Sequence, residues 1–206
     1  MLDALPTAGG LAAAALAVCA GIALAAAAGL RVFIPLLATS AAAYLGHLDL
    51  APGAAWLGTA PALVALGVAA ALEVGAYFVP ALDHALDALA TPLAVVAGIV
   101  VSAALFTDMP SWLRWVLAVI AGGGSAGLVQ GATTVLRLKS GLLTGGLANP
   151  LVALAELGGA VVLALLALLA PLVALALAAG VVLAALRMAR RVVFGRQRAA
   201  ARASSC

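Results

Sequence analysis

Arg31, Glu73 and Glu156 stand in long apolar runs of a 206-residue chain that is 67% hydrophobic and 8% charged. Ionisable groups in such surroundings are costly to keep, and they are the first candidates for a substrate- or ion-binding site. A carboxyl that can be neutral or charged near physiological pH is what proton or cation coupling requires, and Glu73 and Glu156 are the two carboxyls so placed. Arg31 cannot lose its charge, so it needs a carboxylate, a carbonyl cluster or a phosphate. Glu73 is its first candidate partner and Glu156 its second. Each of the three also has a structural reading. The glutamates can serve as hydrogen-bonded packing residues, and Arg31 can snorkel to an interface.

Two further constellations carry weaker chemistry. Asp83 and Asp87 are four apart, the spacing of one helix face. Such a pair can hold Mg²⁺ beside a diphosphate, or it can sit in the first turn of a helix where carboxylates suit the dipole. Arg137, Lys139 and the run Thr144-Gly145-Gly146 combine cations with exposed backbone amides, which suits a phosphate or other anion. An ordinary turn explains them as well. Asn149 precedes Pro150 as a helix cap, and it joins Arg31, Glu73 and Glu156 as a binding candidate. No catalytic nucleophile and base stand out. The two histidines, His47 and His84, fall on opposite membrane faces in the topology below, which argues against a paired-histidine metal site. Cys19 and Cys206 have no metal or disulfide spacing.

Composition names the solvent. Ordinary globular chains carry about 25% charged residues, whereas this chain has a mean hydropathy of +1.29. It reads as an all-α, polytopic transmembrane bundle. At ~20 residues per span it has room for about six helices, or seven if 11–29 and 31–46 both cross. Met1-Leu2-Asp3 lacks the basic start of a secretory signal. The transmembrane domain covers 1–188, and a basic tail covers 189–206. Arg187, Arg190, Arg191, Arg196, Arg198 and Arg202 crowd the C-terminal end. They predict a cytoplasmic C-terminus drawn to anionic headgroups, not a nucleic-acid site.

The elements follow from the breaks. Gly29-Leu30-Arg31 and Pro35 divide the first apolar run. A second helix is expected over 57–79, with Glu73 about 8–9 Å from its cytoplasmic end. The segment Pro80–Asp87 is expected at an interface before a helix over 88–107. Thr107–Ser111 is a turn with Trp112 and Trp115 as interfacial anchors. A helix over 112–136 contains Gly122-Gly123-Gly124, a weak point or a close backbone contact. Residues 137–150 read as the longest non-helical stretch. Pro171 divides the last run into 151–169 and 172–188. With the tail inside, 80–87 and 137–149 are cytoplasmic, and 47–56 and 107–111 are external. A six-span chain then puts Arg31 nearer the outer half and Glu73 nearer the inner half. Ala28-Gly29-Leu30 recurs as Ala126-Gly127-Leu128. Leu63-Val64-Ala65-Leu66 recurs as Leu151-Val152-Ala153-Leu154. These echoes raise inverted three-helix repeats, a transporter signature.

Three stretches carry a resemblance: Gly29 through Leu37, then Glu73 through Pro80 with Asp83, Asp87 and Thr91-Pro92, then Thr144 through Pro150. Over residues 15–180 the chain resembles a bacterial integral-membrane family catalogued as domain of unknown function 4126. Many relatives have Ala-Asp-Lys after the glutamate, where this chain has Val74-Gly75-Ala76-Tyr77. The resemblance implies a fold and no activity. The expected function is a small transporter or channel-like protein of the bacterial cytoplasmic membrane. It would use its intramembrane carboxyls for coupling or for binding a small ion or molecule, without a cofactor, and is compatible with a homo-oligomer. The alternatives are a Mg-dependent membrane enzyme acting on a phospholipid or polyprenyl diphosphate, and a non-catalytic scaffold.

Overall fold

The computed structural model describes residues 8–76, 80–144, 149–184 and 186–187; side chains at 8, 80–88, 139, 141–144 and 149–150 lie outside that description. The basic tail beyond Arg187 lies outside the described residues. The fold is an all-α bundle. Its helices are α1 (Ala8–Ala28), α2 (Phe33–Tyr44), α3 (Ala60–Gly75), α4 (Pro80–Leu105), α5 (Ser111–Leu117), α6 (Gly124–Thr144), α7 (Asn149–Leu169) and α8 (Pro171–Ala184). A 3-10 helix, Pro52–Gly58, precedes α3, and a π-helical segment, Ala118–Gly123, joins α5 to α6.

The break between α1 and α2 has a local cause. A helix continued through residue 35 would drive the Pro35 ring against the carbonyl of Arg31, four residues back. The chain instead tightens, with the Leu30 and Arg31 amides both donating to the Ala27 carbonyl at 2.9 and 3.0 Å. It restarts at Phe33, where Pro35 falls in the first turn and its missing amide costs nothing.

α2 folds back along α1. Leu16 and Ala17, midway along α1, share a cavity wall with Ala41 and Ala42, late in α2, and with Leu45 just after it. α3 returns along α2, since Glu73 meets Val32 and Phe33 while Ser40 Oγ donates to the Leu57 carbonyl at 2.6 Å. α4 runs against α1: Ser102 Oγ donates to the Gly21 carbonyl at 3.0 Å, and a Cβ on Gly98 would lie 3.4 Å from Ala25. The α5–π–α6 rod again opposes α4, and α7 opposes α1. The loops 45–59 and 106–110 and residue 170 therefore gather at one end of the bundle. The break at 29–32, the end of α3 and the end of α6 gather at the other.

This arrangement changes four sequence expectations. α1 crosses by itself and α2 returns, so Arg31 reaches the same end as Glu73. α4 begins at Pro80, because proline suits the first helical position; Asp83 and Asp87 stand inside α4. α6 runs on through Arg137 to Thr144, because Val135 to Leu143 is mostly strong helix formers with one glycine, Gly141. α3 stops at Gly75, so Glu73 lies in its last turn and not a turn and a half from its end.

Three helical stretches, Gly9–Ala28, Ser111–Leu138 and Leu151–Leu169, are long and apolar enough to cross a membrane. A fourth appears if Pro52–Gly58 and Ala60–Gly75, bent by 68°, form one broken span. Phe33–Tyr44, Leu89–Leu105 and Pro171–Ala184 are shorter apolar helices. Among the described residues three or four stretches thus meet that length, and the break at 29–32 leaves α2 short of it. Trp56, Trp112 and Trp115 are all exposed and all lie at the loop-bearing end, as an aromatic belt would.

The core is built by close approach. A Cβ on Gly98 would come within 2.6 Å of Ala126 Cβ and 2.9 Å of the Gly122 carbonyl. Gly122 is equally closed in by Gly98 and Ser102. Small residues let these backbones touch where lipid offers no hydrophobic drive. The glycine run in the π segment is therefore a contact surface.

Candidate functional site: a buried arginine–glutamate cluster

Arg31 is 4% exposed and Glu156 is 5% exposed. Arg31 Nη2 donates to Glu156 Oε2 and to the Ala153 carbonyl, both at 3.0 Å. Arg137, 17% exposed, donates through Nε to both Glu156 oxygens at 3.1 and 3.2 Å. Its Nη2 also donates to Oε2. One carboxylate thus ties the α1–α2 break to α6 and α7.

Glu73 takes a different post. Its Oε1 accepts from the Val32 amide at 2.8 Å, and its Oε2 accepts from the Phe33 amide at 3.0 Å. These are the unsatisfied donors at the start of α2, where the helix dipole favours an anion. A carboxylate at the C-terminal end of α3 opposes the dipole of its own helix, and the facing N-terminus of α2 offsets that. Arg31 and Arg137 also act on Glu73 through space. Among the described residues two cations and two carboxylates thus come together, each offsetting the cost of burying the others.

Arg137 and Glu156 each lie seven residues from the end of their helices. The cluster is therefore about 10 Å inside the bundle from that end. Between α6 and α7 a cleft of about 390 Å³ reaches Glu156. Nearby, Gln130 is buried, and its carbonyl accepts from Thr133 Oγ1 at 3.0 Å and Thr134 Oγ1 at 2.9 Å. At the opposite end, a larger cavity of about 520 Å³ has His47 and Asp49 in a mostly apolar wall.

The structure brings Arg31, Glu73, Glu156 and Arg137 together. Arg31 meets Glu156, the second-choice partner, and not Glu73. Arg137 is not a loop residue beside a glycine run; it is a helical partner of Glu156. Lys139 and Thr144 stand on α6 and Asn149 opens α7, with side chains outside the described residues. Gly145 and Gly146 lie outside the described residues altogether, as do the side chains of Asp83, Asp87 and His84. Among the described residues no group of three His, Cys, Asp or Glu could hold a metal. Sequence reasoning passed over Ser102 and Gln130. Each is a single polar residue in an apolar run, and that signal was available.

The two sequence echoes behave differently. Gly29 packs on α6 at Ala126, with a Cβ there 2.7 Å from Val129 Cβ. The Ala28-Gly29-Leu30 and Ala126-Gly127-Leu128 copies therefore touch, on helices that run the same way. The copies after Pro61 and Pro150 lie on α3 and α7, which run oppositely.

An all-α, membrane-embedded bundle with a buried arginine–glutamate cluster at one end defines the class of protein. Residues 18–191 match the family described as Domain of unknown function (DUF4126), and the chain belongs to that family. No curated protein and no solved structure matches it.

Proposed function

We propose that this protein is a small transporter in which Glu156 is the carboxyl whose protonation is linked to movement of a small ion. The observation that carries this reading is the sharing of buried Glu156 by Arg31 and Arg137 at the wall of a cleft. A scaffold needs no such group. An ion pair in a bundle gains little over well-packed apolar residues, and ionisable groups held in a membrane mark pathways and relays. A discontinuous helix whose N-terminus faces a charged site is a recurrent transporter device, and the α1–α2 break supplies one.

The cluster lies toward the cytoplasm in this reading. Arg137 and Lys139 stand on α6 toward that end, and the lysine and arginine bias points such residues inward; the basic tail is read on the same side, against anionic headgroups. The tryptophan-bearing end then faces outward.

The test uses liposomes holding a trapped pH-reporting dye, with small anions or small cations supplied on one side. The parent should carry protons faster than empty liposomes with at least one of these ions, and Glu156→Gln should not. Proton movement equal to that of empty liposomes for the whole series would overturn the reading.

A further inference from the structure

The cavity at the loop-bearing end, about 520 Å³, has the size of a pocket for a drug-sized molecule. Its wall divides by residue size. The α1–α2 hairpin supplies alanines, among them Ala17, Ala38 and Ala41, and α4 and α7 supply Leu105 and Leu165. Alanines leave room where larger side chains would fill the angle between the hairpin and α7. From Leu45 back to Ala38 the wall follows the chain of α2 for seven residues, which is about 10 Å. A well of this kind gives water few partners and suits an apolar body.

The polar groups on the wall come from the loops. His47 and Asp49 follow α2, and Thr107 follows α4. His47 and Asp49 are exposed, and Thr107 is half-buried. Asp49 supplies the one carboxylate among the lining residues, and no lysine or arginine lines the cavity with it. Among the described residues, neither the Asp49 carboxylate nor the His47 ring makes a hydrogen bond or an ion pair. An apolar well with a few polar groups at one end is the usual build of a small-molecule site.

Charge complementarity selects the occupant. A fatty-acid anion would set its carboxylate beside that of Asp49, at a repulsive cost. A neutral chain would fill the well and leave Asp49 without a partner. A primary ammonium is cationic at neutral pH, as lysine is, and carries three donors. We propose that this cavity binds a lipophilic amine, a single apolar body ending in a primary ammonium. The body lies in the alanine–leucine well and the ammonium pairs with Asp49. The Thr107 hydroxyl and the His47 ring offer further acceptors at the same end. The site stands at the opposite end of the bundle from Glu156, and it holds or fails independently of the transporter reading.

The test is equilibrium dialysis of the full chain in phosphatidylcholine nanodiscs, with empty discs as the reference for partition into lipid. Three probes share one chain length: hexylammonium, hexanol and hexanoate. The parent should bind hexylammonium saturably, hexanol more weakly and hexanoate least. Asp49→Asn should bring hexylammonium down to the level of hexanol, a loss of about two- to fivefold, the scale of an ion pair open to solvent. Leu165→Trp, at a half-exposed position on the wall, should fill the well and weaken hexylammonium and hexanol alike.

Hexylammonium uptake no greater than that of empty discs, with monodisperse parent protein, overturns the proposal. Equal affinity for hexylammonium and hexanol in the parent, or an unchanged preference in Asp49→Asn, removes the ammonium site. Unchanged binding in Leu165→Trp removes the cavity as its place. Loss of hexylammonium binding in discs containing phosphatidylethanolamine would show that a bilayer lipid is the occupant, which contradicts a free lipophilic amine.

Discussion

Glu156 accepts from Arg31 and Arg137 at once, so a single carboxylate on α7 holds the tip of the α1–α2 hairpin against α6. Removing it takes a shared acceptor from buried Arg31 and half-buried Arg137. Breaking a buried pair from one side costs about 3–5 kcal/mol. Glu156→Ala should therefore lower the thermal midpoint in detergent more than Arg31→Ala does. In Arg31→Ala, Arg137 still covers the carboxylate. Equal midpoints for the two variants would show that Glu156 does not bridge.

Glu73 is predicted to be a cap and not the exchanging carboxyl. Glu73→Ala exposes the Val32 and Phe33 amides, and loss of hydrogen bonds to a charged group costs about 1.5–3 kcal/mol each. Hydrogen exchange at those two amides should accelerate while the body of α7 stays protected. Unchanged exchange at Val32 and Phe33 would remove the cap.

The glycines separate into two kinds. Gly98→Ala puts a methyl group 2.6 Å from Ala126 Cβ, and overpacking of this sort costs about 1–3 kcal/mol. Gly124 has nothing within 4 Å of an added Cβ. Gly124→Ala should be neutral or stabilise the rod by about 0.5–1 kcal/mol, the helix preference of alanine over glycine. Thermal unfolding of the two single variants checks the order, and the reverse order would refute the packing described for α4 and α6.

Much of the fold could be read from breakers. Gly29 with Pro35 marked the first break, and Pro171 marked the last. Thr107–Ser111 marked the turn before the tryptophans. What sequence could not supply was direction. A break in an apolar run can be a kink or a hairpin, and only the common cavity wall that Leu16 and Ala17 share with Ala41 and Ala42 decides for the hairpin. The depth conflict between Arg31 and Glu73 came from that one ambiguity. The loop expected at 137–150 failed for a related reason. Charges and glycines mark loops on average, yet Arg137 is held in α6 by a partner, Glu156, that is nineteen residues away. Membership of the site was legible as charge within hydrocarbon, whereas pairing needed the coordinates.

Orientation yields a prediction that needs no activity. In a Cys19→Ser background, Cys206 should resist an impermeant thiol reagent added to intact cells. A cysteine placed at Ser111, beside the exposed tryptophans, should react. Labelling of Cys206 from outside would reverse the topology and place the cluster on the external side.

The central claim is that Glu156, and not Glu73, carries the coupled proton. Proton flux into dye-loaded liposomes, compared for the parent, Glu156→Gln and Glu73→Gln at matched amounts of folded protein, tests it most directly. The account predicts that Glu156→Gln falls to the level of empty liposomes, while Glu73→Gln keeps a flux that still depends on pH. PH-dependent flux retained in Glu156→Gln and lost in Glu73→Gln would contradict it.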